Sequence, residues 1–273
     1  MSSHIYCGNY TTTEDMPFSS ALHIHDYCEL LYLYDGEAVM NIGDKRYDIK
    51  KGQLALIKRL EAHDLVPLKF PYSRICIHID LESMRRMGIP AYLTAPLSNH
   101  SNEFCNVFDF ENSPEVLNTL LDIHVEYEKK LPSSNEMFGI LLHKLLLLIY
   151  REYPERFEKI ATDESMEEAK KYIEAHSTED FSVGELAKKN YLTLSHFIVR
   201  FKKYTGYTPY KYKNLCRMSQ ARLLLSNENY SLSEIAEMCG FCDLNGFVRC
   251  FRETMNITPK KFREISSVKG FEK

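Results

Sequence analysis

No apolar run in this 273-residue chain approaches the roughly 20 residues needed to cross a bilayer. The longest, LLLLIY at 145–150, follows His143 and Lys144, so no membrane-spanning helix and no membrane partner are expected. The amino terminus, MSSHIYCGNYTTTED, lacks both a basic start and an apolar stretch, which argues against a signal peptide. Glycine and proline are scarce, at 11 and 10 residues, which excludes fibrous and low-complexity classes. The eight cysteines, at 7, 28, 76, 105, 216, 239, 242 and 250, are scattered rather than framed. Without an export signal they read as reduced thiols of a cytoplasmic protein. What is present is 44% hydrophobic and 26% charged, an ordinary globular composition with room for one large domain or two.

The net charge of −4 hides an asymmetry. From Ser165 onward there are 18 Lys and Arg against 13 Asp and Glu, leaving 16 against 25 before it. A basic third joined to an acidic two-thirds suggests that one end meets a polyanion and the other does not. Residues 18–80 mix β-branched and aromatic residues with turn pairs Asp35-Gly36, Gly43-Asp44 and Lys51-Gly52, the spacing of a sandwich or small barrel. Residues 81–112 read as irregular. Ser113-Pro114-Glu115 then opens one helix and Ser134 or Asn135 another, running to about Arg151. The second is apolar on most of its surface, which fits either an intradomain core or pairing with a second copy. Charged residues 152–164 read as an interdomain linker. Ser165 and Glu168 fit a capping box at the start of an all-helical remainder.

Within that remainder one pattern occurs twice. SVGELAKKNYLTLSHFIVRFKKYTGYTP (182–209) and SLSEIAEMCGFCDLNGFVRCFRETMNITP (231–259) match at an offset of 49, then at 50 after one extra residue near Gly240. Each copy parses as a Ser-capped short helix, 183–189 or 232–238, then a tight turn. A second helix follows, about 195–204 or 244–254, anchored by two Phe four residues apart. This is the helix-turn-helix pattern. With Phe197 and Phe201 inward, a 100° wheel turns Ser195, Val199, Lys202 and Lys203 outward, flanked by His196 and Ile198. With Phe247 and Phe251 inward it turns Asn245, Arg249, Arg252 and Glu253 outward, flanked by Gly246 and Val248. Arg and Asn match guanine and adenine edges, and Lys and Arg reach phosphates. Between the copies, YKYKNLCRMSQARLLL (210–225) is a Gly- and Pro-free helical rod of roughly 24 Å. Such a rod can hold two reading heads about one DNA turn, roughly 34 Å, apart.

Residues 168–265 resemble the arabinose-regulator (AraC/XylS) transcription factors. The resemblance rests on Ile235-Ala236, Cys239-Gly240-Phe241, Arg249, Phe251 and Thr258-Pro259. It implies two helix-turn-helix subdomains joined by a linker helix, binding double-stranded DNA and usually activating transcription with RNA polymerase as partner. It carries base reading onto Ser195, Ile198 and Val199 in the first unit, and onto Leu244, Asn245, Val248 and Arg249 in the second. The family commonly has Arg where this chain has Val199. Here the Arg comes one residue later, at Arg200, where it can snorkel outward or contact phosphate, while Val199 suits a thymine methyl.

HIHDYCELLYLYDG (23–36) resembles the first motif of the cupin barrel, whose strand pairing would bring His23, His25 and Glu29 toward His63. Three imidazoles and a carboxylate suit a transition metal, so a metal-dependent cupin enzyme fused to a helical DNA-binding domain is the alternative. The reading adopted is a small-effector barrel with no catalytic residue, metal or cofactor. Its effector residues are His23, His25, Glu29, Tyr32, Tyr34, Met40 and His63, with Ile42 beside them, and sugars are the commonest effectors of similar regulators. Cys239, Cys242 and Cys250 lack a fourth ligand at suitable spacing, and His124, His143 and His176 stand singly on helical patterns. The expected fold is α+β and multidomain. A cupin-like effector and dimerisation domain (1–155), a barrel followed by helices, precedes an all-α double helix-turn-helix domain (165–268). The expected molecule is a cytoplasmic homodimer.

Overall fold

The segment CELLYL (28–33) shows why the first half of the chain becomes sheet. Successive side chains on a strand point to opposite faces. Leu30 and Tyr32 join one buried cluster and Leu31 and Leu33 another. The computed structural model describes residues 5–14, 20–158, 160, 163–226 and 229–268, and the chain parts into two compact units near residue 161, with Leu22–Ile24 grouped with the second.

The first unit opens with β1 (Ile5–Thr12), β2 (Ser20–His23), β3 (Cys28–Ile42), β4 (Lys45–Lys50), β5 (Gln53–Ile57) and β6 (His63–Ile79). Helices α1 (Leu81–Arg86) and α2 (Ala91–Ser98) follow, then β7 (Val107–Asp109), α3 (Pro114–Lys129), α4 (Ser134–Glu152) and α5 (Pro154–Glu158). The strands form one sheet in the order β1-β6-β3-β5-β7, with β2 on β6 and β4 on β3. The described ladders are antiparallel. On one face, Leu54, Leu56, Ile75, Ile77 and Ile79 meet α1–α5 through Met84, Leu93, Leu120, Leu145 and Phe157. On the other, Ala38, Met40, Ile42, Ile49, Ala55, Ile57, Leu65 and Cys76 pack with no helical residue among them, so the sheet curls to cover its own inner face.

The stretch 81–112 is more ordered than its Pro, Asn and Ser content suggests. Asp80 caps α1, its Oδ1 accepting from the Ser83 amide at 2.7 Å, and fully buried Leu93 and Leu97 hold α2 despite Pro96. The expected linker likewise contains α5, anchored by the edge contact of Phe157 with Tyr150. Burial of a few apolar side chains outweighs weak local propensity in both places.

The second unit is helical: α6 (Glu164–Ala175), α7 (Val183–Lys189), α8 (Leu194–Thr205), α9 (Pro209–Leu225), α10 (Leu232–Met238), α11 (Leu244–Met255) and α12 (Pro259–Val268). Asp163, rather than Ser165, caps α6, its Oδ1 accepting from Met166 N. Ser182 and Ser231 cap α7 and α10, the latter with Glu234 in a full capping box. Thr193 and Asp243 cap α8 and α11. Thr208 and Thr258 cap α9 and α12 from in front of a proline. Buried Phe197, Phe201, Phe247 and Phe251 seat α8 and α11. Between them α9 buries Tyr212, Leu215, Met218, Ala221 and Leu225 and touches α6, α8, α10, α11 and α12.

Candidate DNA-binding and effector sites

The duplicated unit closes each time with a turn that needs a left-handed residue. In the first copy this is Tyr191, at φ 56°, and in the second Gly240, at φ 75°. Tyr191 is 97% exposed. A Cβ on Gly240 would instead lie 2.0 Å from the Thr178 carbonyl oxygen. The second turn is one residue longer, and the helix after it starts at Leu244 rather than at 243. Cys239, at the end of α10, is buried, and burial pushes its thiol up to about 12. It packs as a small apolar residue rather than as a metal or redox thiolate.

The outward faces of α8 and α11 carry most of the residues singled out from the wheel. Ser195, His196, Val199, Lys202 and Lys203 are exposed on α8, with Ile198 half-buried. Leu244, Asn245, Arg249 and Arg252 are exposed on α11, with Val248 half-buried. Neither helix is packed away. Arg200 is differently placed. Its Nε and Nη2 donate to Asp163 Oδ2 and Oδ1 at 2.7 and 2.9 Å, a bidentate clamp onto the cap of α6. Beside it, Tyr204 Oη donates to Glu167 Oε2 at 3.0 Å. A helical wheel does not reveal this clamp, because the partner lies 37 residues upstream.

In the first unit, Glu29 of β3 stands opposite His78 of β6 in the ladder. Three imidazoles surround its carboxylate: His25 Nε2 at 3.1 Å and His63 Nε2 at 3.2 Å from Oε2, and His78 Nε2 at 3.5 Å from Oε1. His23, ending β2, brings a further nitrogen. The donor atoms of His23, His25, Glu29 and His63 all lie within 4.8 Å of one another. Burial alone would raise the pKa of Glu29, but the charge of His78 and hydrogen bonds from the three histidines hold it well below the ordinary carboxylate range. Burial pushes His25 down to about 3, against the opposing pull of Glu29. His63 moves up despite its burial, because it bonds and faces Glu29. Tyr27 stacks on both His25 and His78, with ring centroids 3.8 and 4.6 Å away. A second buried carboxylate lies nearby. Glu61 accepts from Lys58 N and Asn106 Nδ2, each at 3.1 Å.

Met40 and Ile42 belong to the inner-face cluster with Leu31, Leu33 and Cys76, and strand alternation puts Glu29, Arg74 and His78 on that same face. Tyr32 is not on it. It points to the opposite face, toward the helices, because it is an odd number of positions from Glu29 on the regular stretch of β3 before its register shifts. Tyr34 is also off the inner cluster: half-buried, it donates to Asn9 Oδ1 at 2.7 Å and packs against the helix-side core. His78, Arg74 and Tyr27 are additions to the expected site residues. The alternation in RICIHI (74–79) carries the signal for the first two. Ile75, Ile77 and Ile79 mark one face, and Arg74, Cys76 and His78 therefore the other.

Residues 11–146 match the model of an AraC-like ligand binding domain and residues 186–265 that of a helix-turn-helix domain. The chain belongs to the AraC family of transcription regulators. It is 23% identical over 259 residues to the HTH-type transcriptional activator RhaR of Escherichia coli strain K12, covering 91% of this chain and 89% of that one. It is 30% identical over 172 residues to the regulatory protein PocR of Salmonella typhimurium, a match spanning 58% of this chain and 57% of that protein. The crystal structure of a single-residue variant of apo ToxT from Vibrio cholerae superposes with a TM-score of 0.67 at 17% identity, over 95% of this chain and 97% of that one. That likeness shows the two-domain fold. The protein is thus an AraC-family DNA-binding regulator with a ligand-binding domain, and its relatives are regulators rather than enzymes. Among the described residues no helix is long and apolar enough to cross a membrane.

Proposed function

We propose that this AraC-family regulator is an effector-responsive transcriptional activator that reads bases with α8 and α11. The observation that carries the reading is a pair of capped helices whose exposed faces hold Asn245, Arg249 and Arg252 on one and Ser195, Val199, Lys202 and Lys203 on the other. Arg249 suits a guanine edge and Asn245 an adenine edge, while Lys202, Lys203 and Arg252 suit phosphates. Ile198, Leu244, Val248 and His196 complete the two contact faces. In this proposal Arg200 serves as a positioning residue, holding α8 against the start of α6. The buried polar inner face of the first unit, with His25, Glu29, His63, Met40 and Ile42, is the effector site. It favours a small hydroxyl-bearing molecule such as a sugar or sugar derivative. Activation involves contact with RNA polymerase, and the name of RhaR as an activator supports that sign. The protein works in the cytoplasm, where its DNA target lies, as a homodimer.

Selection of bound duplexes from random sequence tests the reading. Arg249→Ala should then cost about 1–3 kcal/mol on the selected site and relax preference at one base pair. Lys202→Ala should weaken all duplexes alike and lower the salt slope by about 1. Equal weakening of selected and random DNA by Arg249→Ala would remove its base-reading role.

A further inference from the structure

We infer that Arg217 and Lys213 of α9 are positioning residues that lock the two helix-turn-helix copies at one spacing on DNA. The inference rests on the proposed base reading by α8 and α11. A single helix between two bodies lets them bend and twist with it. The helical unit has a second joint beside α9. Arg217 Nε donates to the Ser177 carbonyl oxygen at 2.6 Å, in the segment that leads into the first copy. Its guanidinium carbon lies 5.1 Å from the ring centroid of Phe241, in the turn of the second copy. One side chain therefore touches the approach to one copy and the turn of the other. Four residues earlier, on the same face of α9, Lys213 Nζ donates to the Glu179 carbonyl oxygen at 2.7 Å and lies 4.2 Å from the Phe181 ring centroid. Gly240 closes the joint directly, since its backbone leaves no room for a Cβ before the Thr178 carbonyl.

The two turns differ accordingly. Tyr191 stands in solvent in the first, whereas Gly240 and half-buried Phe241, at the equivalent place in the second, are docked. The two cations are also costly to keep together. Like charges four residues apart on a helix repel. Burial and the neighbouring charge of Arg217 hold Lys213 below its ordinary pKa, with Asp180 opposing them. What offsets that cost is a pair of charge-assisted bonds, stronger than neutral ones, which pin residues 176–181 to α9. On a duplex, one added base pair moves the second segment about 3.4 Å along and about 34° round the axis. A frame braced by α9, residues 176–181 and the second turn cannot follow that step, so one recognition helix loses its contacts.

The test uses the full chain and duplexes selected from random sequence, in which two clusters of preferred base pairs are expected. The gap between the clusters is then lengthened or shortened by one base pair. For the native chain this should cost at least about tenfold in affinity, the scale of one mismatched base pair. In Arg217→Met, which keeps an unbranched stem over Phe241 and loses the bond to Ser177, the cost should fall to about threefold or less, the second copy now being free to follow. Preference within each cluster and the salt slope should stay as in the native chain. Ser231→Ala, which lowers stability from the far end of α10, should keep the full cost. Should Arg217→Met fail to fold, Lys213→Met decides: a cost below half the native one supports the lock, and an unchanged cost overturns it. A native chain indifferent to the gap, an unchanged cost in folded Arg217→Met, or an equal relaxation in Ser231→Ala overturns the inference and leaves base reading standing. So does a salt slope lower by about 1 in Arg217→Met, which would make that side chain a phosphate contact. A single cluster would instead remove base reading by one of the two helices, and the lock with it.

Discussion

Gly240 and Tyr191 occupy equivalent places in the two turns and have opposite constraints. At Gly240 both the left-handed backbone and the Thr178 carbonyl exclude a side chain. Gly240→Ala is therefore expected to destabilise the helical unit by at least about 2 kcal/mol, adding strain to a backbone clash. At Tyr191 only the backbone is adverse, because the ring is in solvent. Tyr191→Gly should be neutral or stabilising by up to about 1 kcal/mol. Denaturant midpoints of the two variants check both, and a large loss at Tyr191 would refute the comparison. Arg200 offers a third case. Its clamp on Asp163 is half exposed, so Arg200→Ala should cost no more than about 1 kcal/mol of stability. It should weaken DNA binding without changing which base pairs are preferred, as measured by repeating the selection with the variant. A changed preference would mean that the side chain leaves Asp163 to read a base.

At the scale of elements, local chemistry is most legible where a cap and a period agree. The expected helices 183–189 and 232–238 have those bounds in the structure, since Ser182 and Ser231 each bond an amide three residues on. Ser231→Ala should cost about 1 kcal/mol, read as a lower thermal midpoint. The start of α6 misleads because Ser165-x-x-Glu168 fits the capping box while Asp163, with Met166 three residues on, is a single cap that is also held by its tertiary contact with Arg200. On the strands, alternation shows that two faces exist and not which one is inner. Sequence alone thus puts Tyr32 beside Met40, although a register break between Leu33 and Ala38 exchanges the parity of the two ends of β3. His78 escapes a motif search because it belongs to no motif and joins Glu29 only through strand pairing.

For the molecule as a whole, α4 bears on self-association. Its Phe138, Leu142, Leu145, Leu146 and Ile149 are spent on the core of the first unit. Met137 and Ile140 are exposed, and Leu147 and Leu148 are half-buried. Under the proposed dimer this strip is the contact, so Ile140→Glu should shift sedimentation from dimer to monomer at micromolar concentration while circular dichroism stays unchanged. An unaltered dimer would move the interface elsewhere.

The strand that carries Glu29 has a mechanical corollary. Its very next residue, Leu30, sits in the dense helix-side core of the first unit, and a covalent backbone joins the two. Close-packed interiors yield little to compression. A displacement of the carboxylate by even a fraction of an ångström is thus delivered, one peptide later, to the far side of the sheet.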